Sequence, residues 1–309
     1  MTRKDFLFTL GSASAAGAVR EFAVAPQSDS GRPKVLIVVA HPDDEYAFAA
    51  TVYRIAKELH GTVDQAVITN GEGGYRYSSL AERYYSASLT NESVGRSRLP
   101  EIRRRETLAA GKILGIRHHH FLNQRDARFT LDSDEAFSLW DTEAVTRRIA
   151  NLMERERYEF VFTLLPTLDT HGHHQAATLI ALHAISRLPI EARPVVLAAD
   201  PALKVDPTRA YSGLPGHEET RPWSGAPVYR FDRLAHFGFH QSLTYQIVVN
   251  WMIAEHKSQG LFQLECNRFD EERFWLLARN PADAPARTSA LFDEIRVPAG
   301  RVALAVSAP

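Results

Sequence analysis

The sequence predicts an α/β protein with a Rossmann-like, three-layer α/β/α architecture and a mostly parallel central sheet. Three observations support this prediction. Short apolar runs alternate with stretches of helical spacing, several of these runs are rich in β-branched residues, and the polar loops after them are rich in residue types that do chemistry. A strand that is buried on both faces shows a continuous apolar run, as "KVLIVVA" does at 34–40.

The predicted elements follow one another in regular order. The predicted strands cover 34–40, 63–71, 118–122, 158–166 and 194–200. The predicted helices cover 47–61, 101–115, 141–157, 174–186 and 251–260. Between the second strand and the second helix, the polar and Tyr-rich segment 75–100 is expected to form a lid or rim. Because ligands of parallel sheets bind outside the carboxyl ends of the strands, the loops after the strands are where we expect the chemistry.

Composition excludes several classes of protein. The 309 residues include 36 Lys and Arg against 37 Asp and Glu, and no predicted helix carries a basic stripe, so we expect no nucleic-acid partner. Cys266 is the single cysteine, which excludes an internal disulfide and a cysteine-based zinc site. Without a run of 18 apolar residues, no stable membrane span is expected.

The first 25 residues have the outline of an export signal. Arg3 and Lys4 precede a weakly apolar stretch of Ala, Gly and Ser, which resembles a twin-arginine (Tat) signal with Lys in place of the second Arg. We therefore predict an exported, periplasmic or secreted protein, or a cytoplasmic one if the signal does not function. Residues 26–33 are predicted to be a linker, and 34–309 a single domain.

Two histidine-containing motifs follow predicted strands. The motif "AHPDDE" begins at 40, and "DTHGHHQAA" begins at 169. The carboxylates of the first motif can be interpreted as a helix cap, but the histidines favour a metal site. His41, Asp44 and one imidazole of the second motif would make a two-histidine, one-carboxylate set with positions left open for water and substrate. Catalytic zinc and non-haem Fe²⁺ both use such a set, and the neighbouring Asp43 is a ready general base.

The order of the motifs resembles that of the PIG-L/LmbE-like metal-dependent N-acetylglucosaminyl deacetylases. The segments that carry the resemblance are "VVAHPDDE", "ITNGEGG", "RRRETLAAGKILGI", "FLNQRDA", "HGHH" and "AEHKSQ". They span roughly 34–260 and occur in the family's order. The resemblance implies a zinc-dependent hydrolase, with Fe²⁺ or another divalent metal as alternatives, that removes an N-acyl group from an amino-sugar derivative.

The resemblance also assigns roles to individual residues. His41, Asp44 and His174 would be the zinc ligands. Asp43 would be the general base, and His171 would polarise the scissile carbonyl and stabilise the oxyanion.

The chain departs from the family pattern at His173, where the family has an Asp that orients the first histidine of its motif. His171 and His174 are three residues apart at a loop–helix junction, so we expect both to face one side and His173 to point away. Asp169 is then the nearest replacement for the missing acid.

Three further residues are candidates for contacting the substrate or supporting the site. Glu72 lies in a glycine-rich loop after the second strand. Arg103 can either reach the substrate from the start of its helix or only solvate that helix. His256 matches a family position near the site.

Other functions remain open at this point. Within the hydrolases, an amidase that cleaves a larger sugar-linked amide is the alternative. A non-hydrolytic Rossmann-like protein that binds a sugar or nucleotide is another, although it leaves the two motifs unexplained. An Fe²⁺ oxygenase with the same ligands is a third, but such enzymes are usually β-barrels. The expected partner is a small amino-sugar or glycoside substrate, and homo-oligomer formation is left open.

Overall fold

The apolar run that opens the first motif forms the centre of the sheet. A computed structural model describes residues 31–296, in which Lys34–Val39 is strand β1. Alternate side chains of β1 are buried in two different cores, so neither face of this strand meets water. One core takes Val35, Ile37 and Val39, and the other takes Leu36 and Val38. Each such side chain contributes about 1.5–3 kcal/mol on burial, which explains the continuous apolar run.

The described residues contain a seven-stranded sheet and a short hairpin. The strands of the sheet are β1 (Lys34–Val39), β2 (Thr62–Thr69), β3 (His118–Gln124), β4 (Phe160–Leu164), β5 (Val195–Ala199), β6 (Tyr229–Asp232) and β9 (Glu271–Leu276). The hairpin consists of β7 (His236–Phe237) and β8 (Leu243–Thr244). The sheet order is β3-β2-β1-β4-β5-β9-β6, in which β1 to β5 are parallel and β9 is antiparallel to both neighbours. The predicted mostly parallel sheet is confirmed.

Helices cover both faces of this sheet. They are α1 (Ala49–Tyr53), α2 (Glu82–Tyr85), α3 (Glu92–Leu114), α4 (Ser133–Leu139), α5 (Thr142–Glu156), α6 (Gly172–Ser186), α7 (Tyr245–Glu255), α8 (Gly260–Cys266) and α9 (Ala284–Arg296). Side chains of α1, α3, α7 and α9 join the core on one face, and those of α4, α5 and α6 join the core on the other. The predicted three-layer α/β/α fold is therefore confirmed.

Two predicted helix boundaries are wrong. The helix predicted at 101–115 begins at Glu92, where the side chain of Asn91 accepts a hydrogen bond from the Val94 amide at 3.2 Å. Pro100 lies inside this helix rather than before it, so the last part of the predicted 75–100 rim is helical. The late helix ends at Glu255, and Gly260 begins α8 instead of terminating the helix predicted at 251–260.

The structure adds elements that the pattern after residue 200 does not reveal. These are β6, the β7–β8 hairpin, β9 and α9. Within residues 31–296, none of the helices is both long and apolar enough to cross a membrane. The predicted export signal at 1–25 and residues 26–30 of the predicted linker lie outside the described residues, so both stay predictions.

Candidate metal centre

The two histidine-containing motifs meet between β1 and β4, where the order of the strands along the sheet reverses. β1 and β4 are parallel neighbours, but the helices after them, α1 and α6, pack on opposite faces. The two outgoing loops therefore separate above the sheet and leave a crevice at the carboxyl ends of the strands. Residues 41–44 follow β1 and residues 171–174 begin α6, so both motifs line this crevice.

The loop after β1 holds Asp44 in one fixed orientation. Its Oδ2 accepts backbone hydrogen bonds from Ala40 at 3.0 Å and His41 at 2.7 Å. Its Oδ1 lies 3.1 Å from Nε2 of His174. Burial acts to raise the pKa of Asp44, but the attraction of His174 and His41 holds that pKa well below its usual value. Asp44 is therefore an ionised carboxylate with one oxygen free of the backbone.

His41, Asp44 and His174 form the first donor set of the crevice. Nδ1 of His41 lies 3.1 Å from Nε2 of His174 and 3.6 Å from Oδ2 of Asp44. Tetrahedral zinc with ligands at 2.0–2.1 Å places its donor atoms about 3.3 Å apart. One donor atom from each of the three residues lies within 4.8 Å of the others. The chemistry and spacing of these donors fit a divalent metal ion, as the sequence predicts.

Arg103 connects the first two strand-end loops. It is only 3% exposed, and its guanidinium donates to the carbonyl of Gly71 at 2.7 Å and to the carbonyl of Pro42. The same group donates to Oδ2 of Asp43 at 2.7 Å. A Cβ on Gly71 would lie 2.6 Å from Nη1 of Arg103, so glycine permits this approach. Arg103 therefore does not merely solvate the start of its helix.

Asp43 lies in the same pocket under unusual constraints. Its φ of 113° is rarely adopted by a residue with a side chain, although Asp and Asn tolerate positive φ better than most. Its amide donates to Oε2 of Glu45 at 3.1 Å. Burial raises the pKa of Asp43 to about 6, against the opposing attraction of Arg103. A carboxyl with a pKa in this range can exchange protons near neutral pH.

His171 caps α6 rather than belonging to its first turn. Its φ and ψ are −56° and 134°, and its Nδ1 accepts the amide proton of His173 at 3.0 Å. Because Nδ1 accepts, the proton of the neutral ring belongs on Nε2. Burial lowers the pKa of His171 well below its usual value, which keeps the ring neutral. His171 is therefore a neutral N–H donor at the pocket wall, next to the ring of Phe129.

The prediction that His173 points away from the site is wrong. The side chain is fully buried, with Nδ1 lying 3.1 Å from Nε2 of His41. The prediction treated residues 171–174 as one helical turn, but helical geometry begins only after His171. Burial lowers the pKa of His173 to about 4, so this imidazole is neutral.

The proposed replacement acid is also wrong, because Asp169 does not face His171. Its side chain is 67% exposed and accepts hydrogen bonds from Arg209 at 3.1 and 3.2 Å. Asp126 is the carboxylate at the histidines instead, with Oδ1 lying 3.5 Å from Nδ1 of His173 and 3.9 Å from Nε2 of His41. Sequence reasoning did not single out Asp126. Its signal was its position in "FLNQRDA", just after the third strand.

His256 and Glu72 lie outside the pocket lining. His256 is fully buried, and its Nε2 lies 2.8 Å from Oε1 of Glu45, whose other oxygen accepts the amide of Asp43. His256 thus supports the loop that carries Asp43. Burial raises the pKa of Glu72, and the neighbouring Gly73 donates its amide to Asp126 at 3.1 Å.

The pocket above these groups has a volume of about 230 Å³. The catalytic candidates Asp43 and His171 line it together with the first donor set. Tyr77 and Phe129 stand at its mouth with 43% and 63% of their surface exposed. The crevice therefore joins a metal-type donor set, a carboxyl with a raised pKa, a neutral N–H donor and exposed aromatic faces.

Fold and site together define an α/β protein with a metal-type site at the carboxyl ends of its strands. Residues 36–185 match the model of the family described as PIG-L: GlcNAc-PI de-N-acetylase. This match confirms the resemblance predicted from the motifs.

A curated relative and two solved structures are also similar to this chain. The Bacillus cereus protein named "Probable N-acetyl-alpha-D-glucosaminyl L-malate deacetylase 2" is 27% identical over 164 residues, which are 53% of this chain and 66% of the relative. The chain thus spans just under two thirds of that relative's length. The crystal structure of A40926 pseudoaglycone deacetylase aligns with a TM-score of 0.50 at 17% identity, over 81% of this chain and 99% of that one. The N,N'-diacetylchitobiose deacetylase of Pyrococcus horikoshii aligns with a TM-score of 0.44 at 16% identity, over 86% and 77%.

Proposed function

We propose that this protein is a zinc-dependent N-deacetylase that hydrolyses the N-acyl group, with acetyl as the first candidate, of an amino-sugar derivative. The observation that carries the proposal is the convergence of the first donor set with Asp43 and His171 in one pocket. The family match supports the same reaction, since its description is that of a de-N-acetylase. The Bacillus cereus relative is named as a deacetylase of an N-acetylglucosaminyl compound.

His41, Asp44 and His174 are the residues that would hold the metal. When bound there, a divalent metal acidifies a water molecule and polarises a carbonyl oxygen. Two imidazoles and one carboxylate with open positions suit zinc, and Fe²⁺ binds the same donors. The low pKa of Asp44 supports this assignment, because a ligand must be deprotonated to bind.

Asp43 would take a proton from the attacking water and later return it to the departing amine. Arg103 holds its carboxylate at 2.7 Å, and its pKa of about 6 leaves it mostly ionised at neutral pH. A positioned base of this kind contributes roughly 10²–10⁴-fold to the rate. Asp43 is thus the proposed general base and then the general acid.

His171 would donate a hydrogen bond from Nε2–H to the carbonyl oxygen of the amide as negative charge develops there. The hydrogen bond from the His173 amide to Nδ1 fixes the required tautomer. Loss of one such donor typically costs about 10²–10³-fold in turnover. His173 would act through its backbone amide in this step, because its side chain faces His41.

The pocket argues for a substrate that extends beyond it. Its volume of about 230 Å³ is below the range of roughly 300–1,000 Å³ typical of small-ligand sites. It can receive the acyl amide and part of one sugar ring, while Tyr77 and Phe129 offer aromatic faces to the rest. A second cavity of about 170 Å³ shares Tyr46 and His174 with the first. This adjoining cavity favours the second candidate, an amidase acting on a larger sugar-linked amide.

An amine-release assay over a graded panel tests the proposal. The panel contains N-acetylglucosamine, its oligomers, its glycosides and analogues with longer acyl groups, each incubated with zinc-loaded protein. We expect equimolar amine and carboxylate from at least one sugar derivative. Faster release from longer acyl groups would support the amidase. Binding of panel members without any amine release would contradict both hydrolases and support the non-hydrolytic binding protein.

A further inference from the structure

We propose that His41, Asp126 and His173 form a second metal site, and that His41 bridges it to the first through the opposite nitrogen of its ring. The two donor sets use different atoms of His41. Nδ1 faces His174 and Asp44, whereas Nε2 faces His173 and Asp126. One donor atom from each of these three residues lies within 4.8 Å of the others.

The distances in the second set match those of the first. Nε2 of His41, Nδ1 of His173 and Oδ1 of Asp126 form a triangle with edges of 3.1, 3.5 and 3.9 Å. In the first set, Nδ1 of His41 lies 3.1 Å from Nε2 of His174 and 3.6 Å from Oδ2 of Asp44, and the same Nε2 lies 3.1 Å from Oδ1 of Asp44. Both sets lie near the spacing of about 3.3 Å expected for tetrahedral zinc.

The ring protons of His41 and His173 give a second reason for a cation in the second set, once the first site holds its proposed metal. Once His41 binds a metal through Nδ1, its neutral ring carries one proton, on Nε2. That proton can form a hydrogen bond only to Nδ1 of His173, so this nitrogen must be unprotonated. Oδ1 of Asp126 lies 3.5 Å from this unprotonated Nδ1, so two acceptor atoms face each other without a proton between them. A metal ion satisfies all three acceptor atoms, and His41 then releases its ring proton to solvent.

The surroundings of the second set favour binding over solvation. His41, Asp126 and His173 are 7%, 4% and 0% exposed. Oδ2 of Asp126 accepts the amide of Gly73, which leaves Oδ1 directed at the histidines. A metal-binding histidine usually has its second nitrogen held by a carboxylate. In this protein the imidazole of His173 lies between Nε2 of His41 and the carboxylate of Asp126, and its Nδ1 adds a metal-binding atom.

Metal stoichiometry tests the second site without reference to turnover. Metal-free full-length protein is titrated with Zn²⁺ in equilibrium dialysis, and bound metal is measured by elemental analysis. We expect two equivalents per chain, the second binding more weakly because two like charges share one imidazole. His173→Phe and Asp126→Asn should each bind one equivalent. His174→Ala should also bind one, at the second site alone, so this outcome does not depend on catalysis.

A Cu²⁺ titration followed by electron paramagnetic resonance reports the bridge itself. Two Cu²⁺ ions across one imidazolate couple magnetically, so the signal per copper should fall as the second equivalent binds. His173→Phe should keep a full signal at one equivalent. One equivalent of Zn²⁺ in the unmodified protein, or two in both His173→Phe and Asp126→Asn, would overturn the proposal. Deacetylase activity with one bound metal would leave the proposed function intact while refuting the second site.

Discussion

Asp43 is the residue at which backbone geometry and chemistry are most tightly linked. Its φ of 113° turns the chain between His41 and Asp44, and Arg103 holds its carboxylate. We predict that Asp43→Asn retains bound metal and folds normally, because Asn tolerates positive φ and can still accept from Arg103. Turnover should fall by roughly 10²–10⁴-fold, since the amide cannot take a proton.

The Asp43→Asn prediction is checked by measuring kcat and metal content together. Asp293→Asn is the matched control, because that side chain is 75% exposed and pairs only with Arg296 among the described contacts. The control should keep full activity. Full activity in Asp43→Asn would remove Asp43 as the base, whereas loss of metal there would make it a ligand.

Arg103 provides a second test at the scale of single residues. Arg103→Met removes the hydrogen bonds to Gly71, Pro42 and Asp43 while keeping an apolar stem of similar length. Because Asp43 is then free to move, we expect kcat to fall by about 10-fold to 100-fold. Arg105→Met, two residues further along α3 at an exposed position, is the control. Equal kcat values for the two variants would show that Arg103 does not position Asp43.

Single-residue orientation is where sequence reasoning was least accurate. The strand-end rule could bring His41 and Asp44 next to the second motif, because the rule depends only on topology, and the family resemblance then selected His174. His173 could not, since its direction depends on His171 being a cap with φ and ψ of −56° and 134° rather than a helical residue. Asp126 could not, because its approach depends on the contact between its loop and Gly73.

At the scale of elements, Asp64 connects its own strand β2 with the start of β3 and with the residues just before β4. Its carboxylate accepts from Arg117 at 2.6 and 3.0 Å, from the amide of His118 at 3.0 Å and from Tyr158 at 2.6 Å. Hydrogen bonds to a buried charge are worth about 1.5–3 kcal/mol each. Asp64 therefore secures both the edge strand β3 and the entry to β4.

Asp64→Asn should lower the free energy of unfolding by about 2–4 kcal/mol at pH 7. Burial acts to raise the pKa of Asp64, but hydrogen bonds from Arg117 and Tyr158 lower it below 3.8. The stabilisation is thus present above pH 3.8 and disappears as the pH falls through the lower folded-state pKa. Urea unfolding at several pH values measures this. The exposed Asp134→Asn should change stability by less than about 0.5 kcal/mol. If the difference in unfolding free energy between Asp64→Asn and the unmodified protein stays the same in acid, the stabilisation does not come from the charge of Asp64.

Helix boundaries show what local sequence can and cannot determine. The helix predicted from 101 begins nine residues earlier, because the side chain of Asn91 caps α3, and Pro100 lies in its interior. Gly260 suggested a helix end, yet it opens α8. The strands after residue 200 were missed because β6 and β9 contain charged residues that are paired inside the protein. Glu272 of β9, for example, is fully buried against Arg233.

At the scale of the whole molecule, the parallel core of the sheet explains why the two motifs meet. β1 and β4 lie side by side although more than a hundred residues separate them, and their loops end at one edge. The alternation of buried strands and helices was enough to predict this architecture. The antiparallel strands β9 and β6 lie beyond β5, two or more strands from the β1–β4 crevice, so their omission did not affect the position of the predicted site.

Removing and restoring the metal shows whether amine release depends on a metal ion in this crevice. The rate of amine release from the best sugar substrate is measured for the protein as purified, after chelation and dialysis, and after addition of one equivalent of zinc. We predict a loss of at least about 10²-fold on chelation and recovery to the original rate with zinc. His174→Ala should show neither the original activity nor recovery with one equivalent. Undiminished amine release from the metal-free protein would contradict the claim that this crevice is the centre of a metal-dependent deacetylase.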